Sequence, residues 1–166
     1  YSQYNMLINW RKSQLLHEYE LFSDKEQLNI LLKKLLDTQN FPFSYWVNQE
    51  IEKIRNQENT PIDFFPDFLH RGFYYEQLER YYQFFPVENI LVIEHRELKN
   101  NRISTLRKIE QFLNISYVDW NTINLDDKFV SQYNVKLPSD IRNKLKAFFK
   151  PYNEKFYKLI KRNFDW

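Results

Sequence analysis

The chain has one glycine, Gly72, among its 166 residues. Globular composition carries about 7% glycine, which at this length would be roughly a dozen. The shortage limits what can be built. A glycine-rich phosphate loop needs several glycines within a few residues, because backbone N–H groups must close directly on phosphate oxygens. A lone glycine supplies neither a P-loop nor a dinucleotide fingerprint. Any anion site within these residues is therefore partial, or made of side chains.

The rest of the composition excludes several classes. Apolar residues make up 43% and aromatics 19%, which a disordered chain does not carry. The length suffices for one domain with a core. The formal charge is +2, from 24 basic and 22 acidic residues. Bulk electrostatics thus point to no nucleic-acid or membrane partner. A single-strand binder interleaving aromatics with Lys and Arg would carry a larger surplus. With no cysteine, disulfides, thiol nucleophiles and cysteine-held zinc are excluded, and a reducing, cytoplasmic setting is expected. No apolar run reaches the roughly 18 residues of a membrane span, and no signal peptide is visible. The chain opens on Tyr1, so a piece of a longer protein is expected.

Hydrophobic periodicity predicts a mostly helical chain. In "SDKEQLNILLKKLLDT" Ser23 and Glu26 have capping-box spacing, and Leu28, Leu31, Leu32, Leu35 and Leu36 share a helical face. Pro42 breaks the pattern. "SYWVNQEIEKIRNQ" resumes it, with Trp46, Val47, Ile51 and Ile54 on one face. "ENTPIDFFPDF" reads as a loop because two prolines each disfavour helix at the preceding residue. "RGFYYEQLERYYQFFP" reads as a helix ended by Pro86, aromatic enough that both faces should touch protein. Residues 89–95 read as the one buried strand, and residues 102–113 as the next helix. Residues 116–137 have no steady period and read as a long surface connection. Pro138 opens a helix, and Pro151 is expected to start a second.

The ordered motifs resemble the PAPS-dependent sulfotransferase family. "RGFYYEQLERYYQFFPVENILVIEHRELKNNRISTLRKIEQFLNI" is similar to that family's G-x-Y-x-x-Q-L helix, its strand ending in an acidic residue and leucine, and its following F-L helix. "LPSDIRNKLKAFFKPYNEKFYKLIKRNFDW" resembles the C-terminal helix pair with F-x-P-x-N-E and a terminal D-x-W. "YSQY" resembles the tail of R-x-x-S-x-Y, and "FPFSYWVNQEI" the F-x-x-W-x-x-x-E-[IL] helix after it.

The resemblance implies an α/β, P-loop-like sulfotransferase fold, a parallel sheet flanked by helices, of which this chain holds many helices and few strands. It also implies that residues 1–166 are the C-terminal part of a single domain, with the phosphosulfate loop, its lysine and the catalytic base upstream. The implied activity is transfer of a sulfuryl group from 3′-phosphoadenosine 5′-phosphosulfate (PAPS) to a hydroxyl or amine of a carbohydrate or small molecule. PAPS and its product PAP are the implied partners. A non-catalytic, aromatic-rich helical interaction domain is the competing reading.

On that resemblance, the cofactor contacts are Ser2, whose hydroxyl can donate to a phosphate oxygen, and the loop "DDKFVSQYN" with Lys128, Ser131 and Tyr133. The family's K-G-R-x-Y is reduced here to the tyrosine, since Phe129, Val130 and Ser131 replace lysine, glycine and arginine. Gly72 and Tyr74 are the expected acceptor-side residues. Glu94 and Glu97 read as architectural, and "KNNR" and "KLIKR" as solvated faces. His17, His70 and His95 lack metal-like spacing, and no metal is expected. "NIS" at 114–116 fits a glycosylation sequon, which has meaning only in a secreted setting.

Overall fold

A computed structural model of the chain describes residues 2–9, 25–56, 67–126 and 136–164. Seven α-helices are described: α1 (Ser2–Asn9), α2 (Lys25–Leu36), α3 (Phe43–Arg55), α4 (Tyr74–Tyr82), α5 (His95–Asn100), α6 (Arg102–Leu113) and α7 (Ser139–Ile160). Contacts divide the chain into two compact units, Tyr1–Phe73 with Tyr133–Pro151, and Tyr74–Gln132 with Tyr152–Trp166.

The first unit is built on the apolar faces of α1, α2 and α3. Leu7, Leu32, Leu35, Val47 and Ile51 are almost wholly removed from water, and Tyr4, Phe43, Trp46, Leu69 and Ile141 join them. On α2 the face expected from the leucine spacing is realised at Leu32 and Leu35, while Leu36 sits at its edge, 37% exposed. Ser23 lies outside the described residues. The α2–α3 corner is closed by hydrogen bonds. Phe41 N–H donates to the Asp37 carbonyl at 2.9 Å, and the Trp46 indole donates to the Phe41 carbonyl at 3.1 Å. Tyr4, Phe43 and Phe68 pair in tilted and edge-on geometry at 5.1–6.0 Å, the arrangement that opposes ring edges to ring faces.

Gly72 has its explanation in this unit. It ends a 3-10 turn, His70–Gly72, and its φ is not positive. Backbone freedom is therefore not what selects glycine here. A Cβ at this position would stand 2.7 Å from Cε1 and 2.8 Å from Cζ of Phe149. The single glycine makes room for an aromatic ring.

The second unit packs Leu78, Phe156 and Phe164 with the partly buried Tyr75, Tyr82, Ile90, Val92 and Tyr157. The start of α6 is tied down by Thr105, whose hydroxyl donates to the Asn101 carbonyl at 2.8 Å and the Glu97 carbonyl at 3.1 Å. Its end is Asn114, in the left-handed region (φ 50°, ψ 44°).

Three expectations change. Residues 89–95 form no ladder, and no strand occurs among the described residues. They run extended, from Ile90 (φ −125°, ψ 113°) to Glu94 (φ −75°, ψ 132°), and are half-buried to exposed, because no neighbouring strand is among the described residues. Pro151 does not start a new helix. It lies inside a continuous α7, whose earlier part is held through Phe148 and Phe149 and whose later part through Phe156, each in its own core. The packing of those rings, Phe156 buried and Phe148 and Phe149 partly so, outweighs the one helical hydrogen bond that a proline forfeits. Nor are both faces of α4 covered. Leu78 is buried, but Tyr74 is 46% and Tyr81 60% exposed, with Phe84 just beyond at 74%.

Candidate functional site

A cavity of about 580 Å³ opens in the second unit, lined by Tyr74, Val92, Ile93, Glu94, His95, Arg96, Phe156 and Phe164. Its position follows from the backbone. The extended segment delivers Glu94 at its carboxyl end, and α5 begins at once with His95 and Arg96. In α/β proteins the carboxyl end of a strand is where ligands are held, since loops and helix starts converge there. The walls are aromatic: the rings of Tyr74 and Phe156 lie 5.8 Å apart, and those of Phe156 and Phe164 6.2 Å. The rim is charged. Arg96 Nε lies 3.9 Å from Glu94 Oε1, with the arginine side chain 56% exposed and the glutamate 16%. Aromatic rings together with a guanidinium, a carboxylate and an imidazole in one lining suit a flat, polar ligand.

Two carboxylates tie together elements of this unit. Glu97 receives Lys108 Nζ and, at 2.8 Å, Arg162 Nη2. The hydrogen bond from Lys108, then that from Arg162, holds its carboxyl below the usual range. α5 is thereby fastened to α6 and to the turn after α7. Glu110 of α6 is 2% exposed. Both its oxygens accept from Arg107 Nη1, at 3.0 and 2.8 Å, and Oε1 accepts from Val118 N–H and the Trp120 indole, each at 2.9 Å. Burial alone would raise this carboxyl, but Arg107, the Val118 amide and the indole outweigh it and keep it low. The Arg107 guanidinium also lies over the Tyr117 ring at 4.1 Å.

In the first unit Glu50, the acid of the "FPFSYWVNQEI" stretch, accepts Phe68 N–H at 2.8 and 3.0 Å and Leu69 N–H at 2.7 Å. Burial pushes its carboxyl up to about 7, against those two amides and with help from Asp67.

Among the residues expected from sequence, Tyr74 lines the cavity. Gly72 belongs to the first unit and faces Phe149. Ser2 opens α1, and its side chain lies outside the described residues, as do Lys128, Ser131 and Tyr133. Glu97 is architectural as expected; Glu94 also lines the cavity. Sequence reasoning missed His95, Arg96, Phe156 and Phe164. The available signal was position, since His95 and Arg96 follow the apolar stretch directly. Among the described residues no group of three or more His, Asp and Glu could hold a metal ion.

Comparison with known proteins bears on this site. The sulfotransferase domain family matches residues 37–124, more than half of the chain and the stretch that contains the extended segment, Tyr74 and the cavity rim. Membrane-associated sulfotransferase kil1 of Dictyostelium discoideum is 33% identical over 98 residues, 59% of this chain and 20% of that protein. Heparan sulfate glucosamine 3-O-sulfotransferase 5 of Homo sapiens is 25% identical over 112 residues, 56% of this chain and 32% of that protein. No solved structure matches. The chain thus spans a fifth to a third of the length of these curated relatives.

Proposed function

This chain belongs to the sulfotransferase family, and on that premise we propose that it is the C-terminal part of an enzyme that moves a sulfuryl group from PAPS to a hydroxyl or amine. The family match over residues 37–124 carries the reading. Sulfuryl transfer needs anionic oxygens neutralised on the donor and a base for the acceptor's proton. These residues supply the remaining tasks, holding the nucleotide and shaping the acceptor's approach. Ser2 donates its hydroxyl to the donor's 3′-phosphate, Lys128 adds a cation, and Ser131 and Tyr133 complete that contact. Tyr74 presents its ring to the acceptor, with Gly72 two positions before it in sequence. The phosphosulfate cradle and the base lie in sequence outside these residues, which the relatives' greater lengths support. No metal enters the scheme.

The same reading completes the fold. Leu91, Val92 and Ile93 lie between the extended residues Ile90 and Glu94, are apolar, and have no hydrogen-bonded neighbour strand among the described residues. They become an inner strand of a parallel sheet when flanked by strands of the rest of the domain, as such apolar runs require. One relative's name specifies a glucosamine, which supports a carbohydrate acceptor.

Calorimetry on the full-length protein tests the reading. Adenosine 3′,5′-bisphosphate should bind, and Ser2→Ala should weaken it about tenfold, the equivalent of one hydrogen bond to a charged group. Tyr74→Ala should raise the KM for acceptor and leave nucleotide affinity unchanged. A full-length protein that binds no bisphosphate would restore the interaction-domain reading.

A further inference from the structure

We propose that Asn114 carries an N-linked glycan. Asn114-Ile115-Ser116 is the single Asn-x-Ser/Thr tripeptide in the chain, and the structure places it where the modification can occur. α6 stops at Leu113, and Asn114 takes the left-handed conformation. Its N–H donates to the Gln111 carbonyl at 3.2 Å, and Ile115 N–H to the Glu110 carbonyl at 3.1 Å, which closes the helix end. Asparagine tolerates this conformation better than most residues, so helix capping accounts for Asn114 by itself. Capping does not account for Ser116 or for the surroundings.

All three sequon residues are exposed. Neither the Asn114 carboxamide nor the Ser116 hydroxyl has a hydrogen-bond partner among the described residues. Residues 115–119 are in neither helix nor strand, so the tripeptide is not locked in regular structure. Its neighbours in sequence include four exposed apolar residues, Phe112 38%, Leu113 54%, Ile115 51% and Tyr117 71% exposed. A glycan at Asn114 would stand among these side chains as a bulky, solubilising group. The first sugar's C–H face can rest on the rings of Phe112 or Tyr117, the latter held beneath Arg107.

The chemistry is a glycosyl transfer from a lipid-diphosphate-linked oligosaccharide. The Asn114 amide nitrogen forms the bond to the sugar's C1 and loses a proton to the transferase's base. The C1–O bond breaks, and the lipid diphosphate leaves with that electron pair. The Ser116 hydroxyl orients the carboxamide in the transferase. This assignment places residue 114 on the luminal side of the secretory pathway, replacing the cytoplasmic setting expected from the missing cysteines. It does not depend on the sulfotransferase reading.

The test uses the full-length protein made in a eukaryotic cell. Peptide-N-glycosidase should remove one mobility shift and convert Asn114 to aspartate in the 114-containing peptide. Ser116→Ala, which leaves the helix cap intact, should abolish the shift, and so should Asn114→Gly, which suits the left-handed position. Ser116→Thr should retain it. An unmodified Asn114 peptide in both the wild type and Ser116→Thr would overturn the assignment, as would a shift that survives Ser116→Ala.

Discussion

Glu50 gives the first unit a proton-linked stability whose sign is unusual for a carboxylate. Its ordinary value is 4.5, and in the folded chain it stands near 7. Between those values the folded state binds more protons than the unfolded state. Stability is therefore full below about pH 4.5 and falls as pH rises through 7. The whole swing is about 3 kcal/mol, and the part between pH 5 and pH 8 is about 2–3 kcal/mol. The three hydrogen bonds from Phe68 and Leu69 favour the ionised form, and a value of about 7 is what remains once burial outweighs them. Glu50→Gln keeps an oxygen for those amides and removes the titration. Urea unfolding of both proteins at pH 5, 6, 7 and 8 isolates the effect, since every other titrating group is common to the pair. The wild type should lose about 2–3 kcal/mol relative to the glutamine variant from pH 5 to pH 8. A difference that stays flat, or that favours the wild type as pH rises, would refute desolvation as the dominant influence on Glu50.

Gly72→Ala should destabilise the first unit by about 1–3 kcal/mol, because the Phe149 ring must shift; the loss should shrink in the double variant with Phe149→Leu, read by thermal unfolding. Glu97 behaves oppositely to Glu50. Its carboxyl is held low by Lys108 and Arg162, so its contribution is present above its unfolded pKa and lost as pH falls. Glu97→Gln should therefore flatten the acid limb of the second unit's stability profile, and an unchanged limb on acid titration by circular dichroism would show that the pair contributes nothing.

The helices were legible where one face is apolar and the partners are close in sequence. The period through Trp46, Val47 and Ile51 marks the buried side of α3, and residues 102–113 bound α6 as the structure does. Proline misled because its local preference is small beside the packing of Phe148, Phe149 and Phe156 along α7. The apolar run at 89–95 reads as a buried strand because composition reports what a segment prefers to touch, whereas ladder formation requires a neighbour. Tyr74, singled out by its place in the motif, lines the cavity. Glu50 was not legible as a buried acceptor, since its partners are backbone amides, which every residue has; nor was Glu110, whose Val118 and Trp120 partners lie eight and ten positions on, outside helical spacing. Gly72 was legible as exceptional, but its reason, a ring 77 positions away in sequence, lies outside any local pattern.

Glu110 fastens Arg107, the Val118 amide and the Trp120 indole at one point. Loss of that one carboxylate would strip the amide and the indole of their acceptor together, so the placement of the strip from Tyr117 to Trp120 hangs on a single side chain of α6.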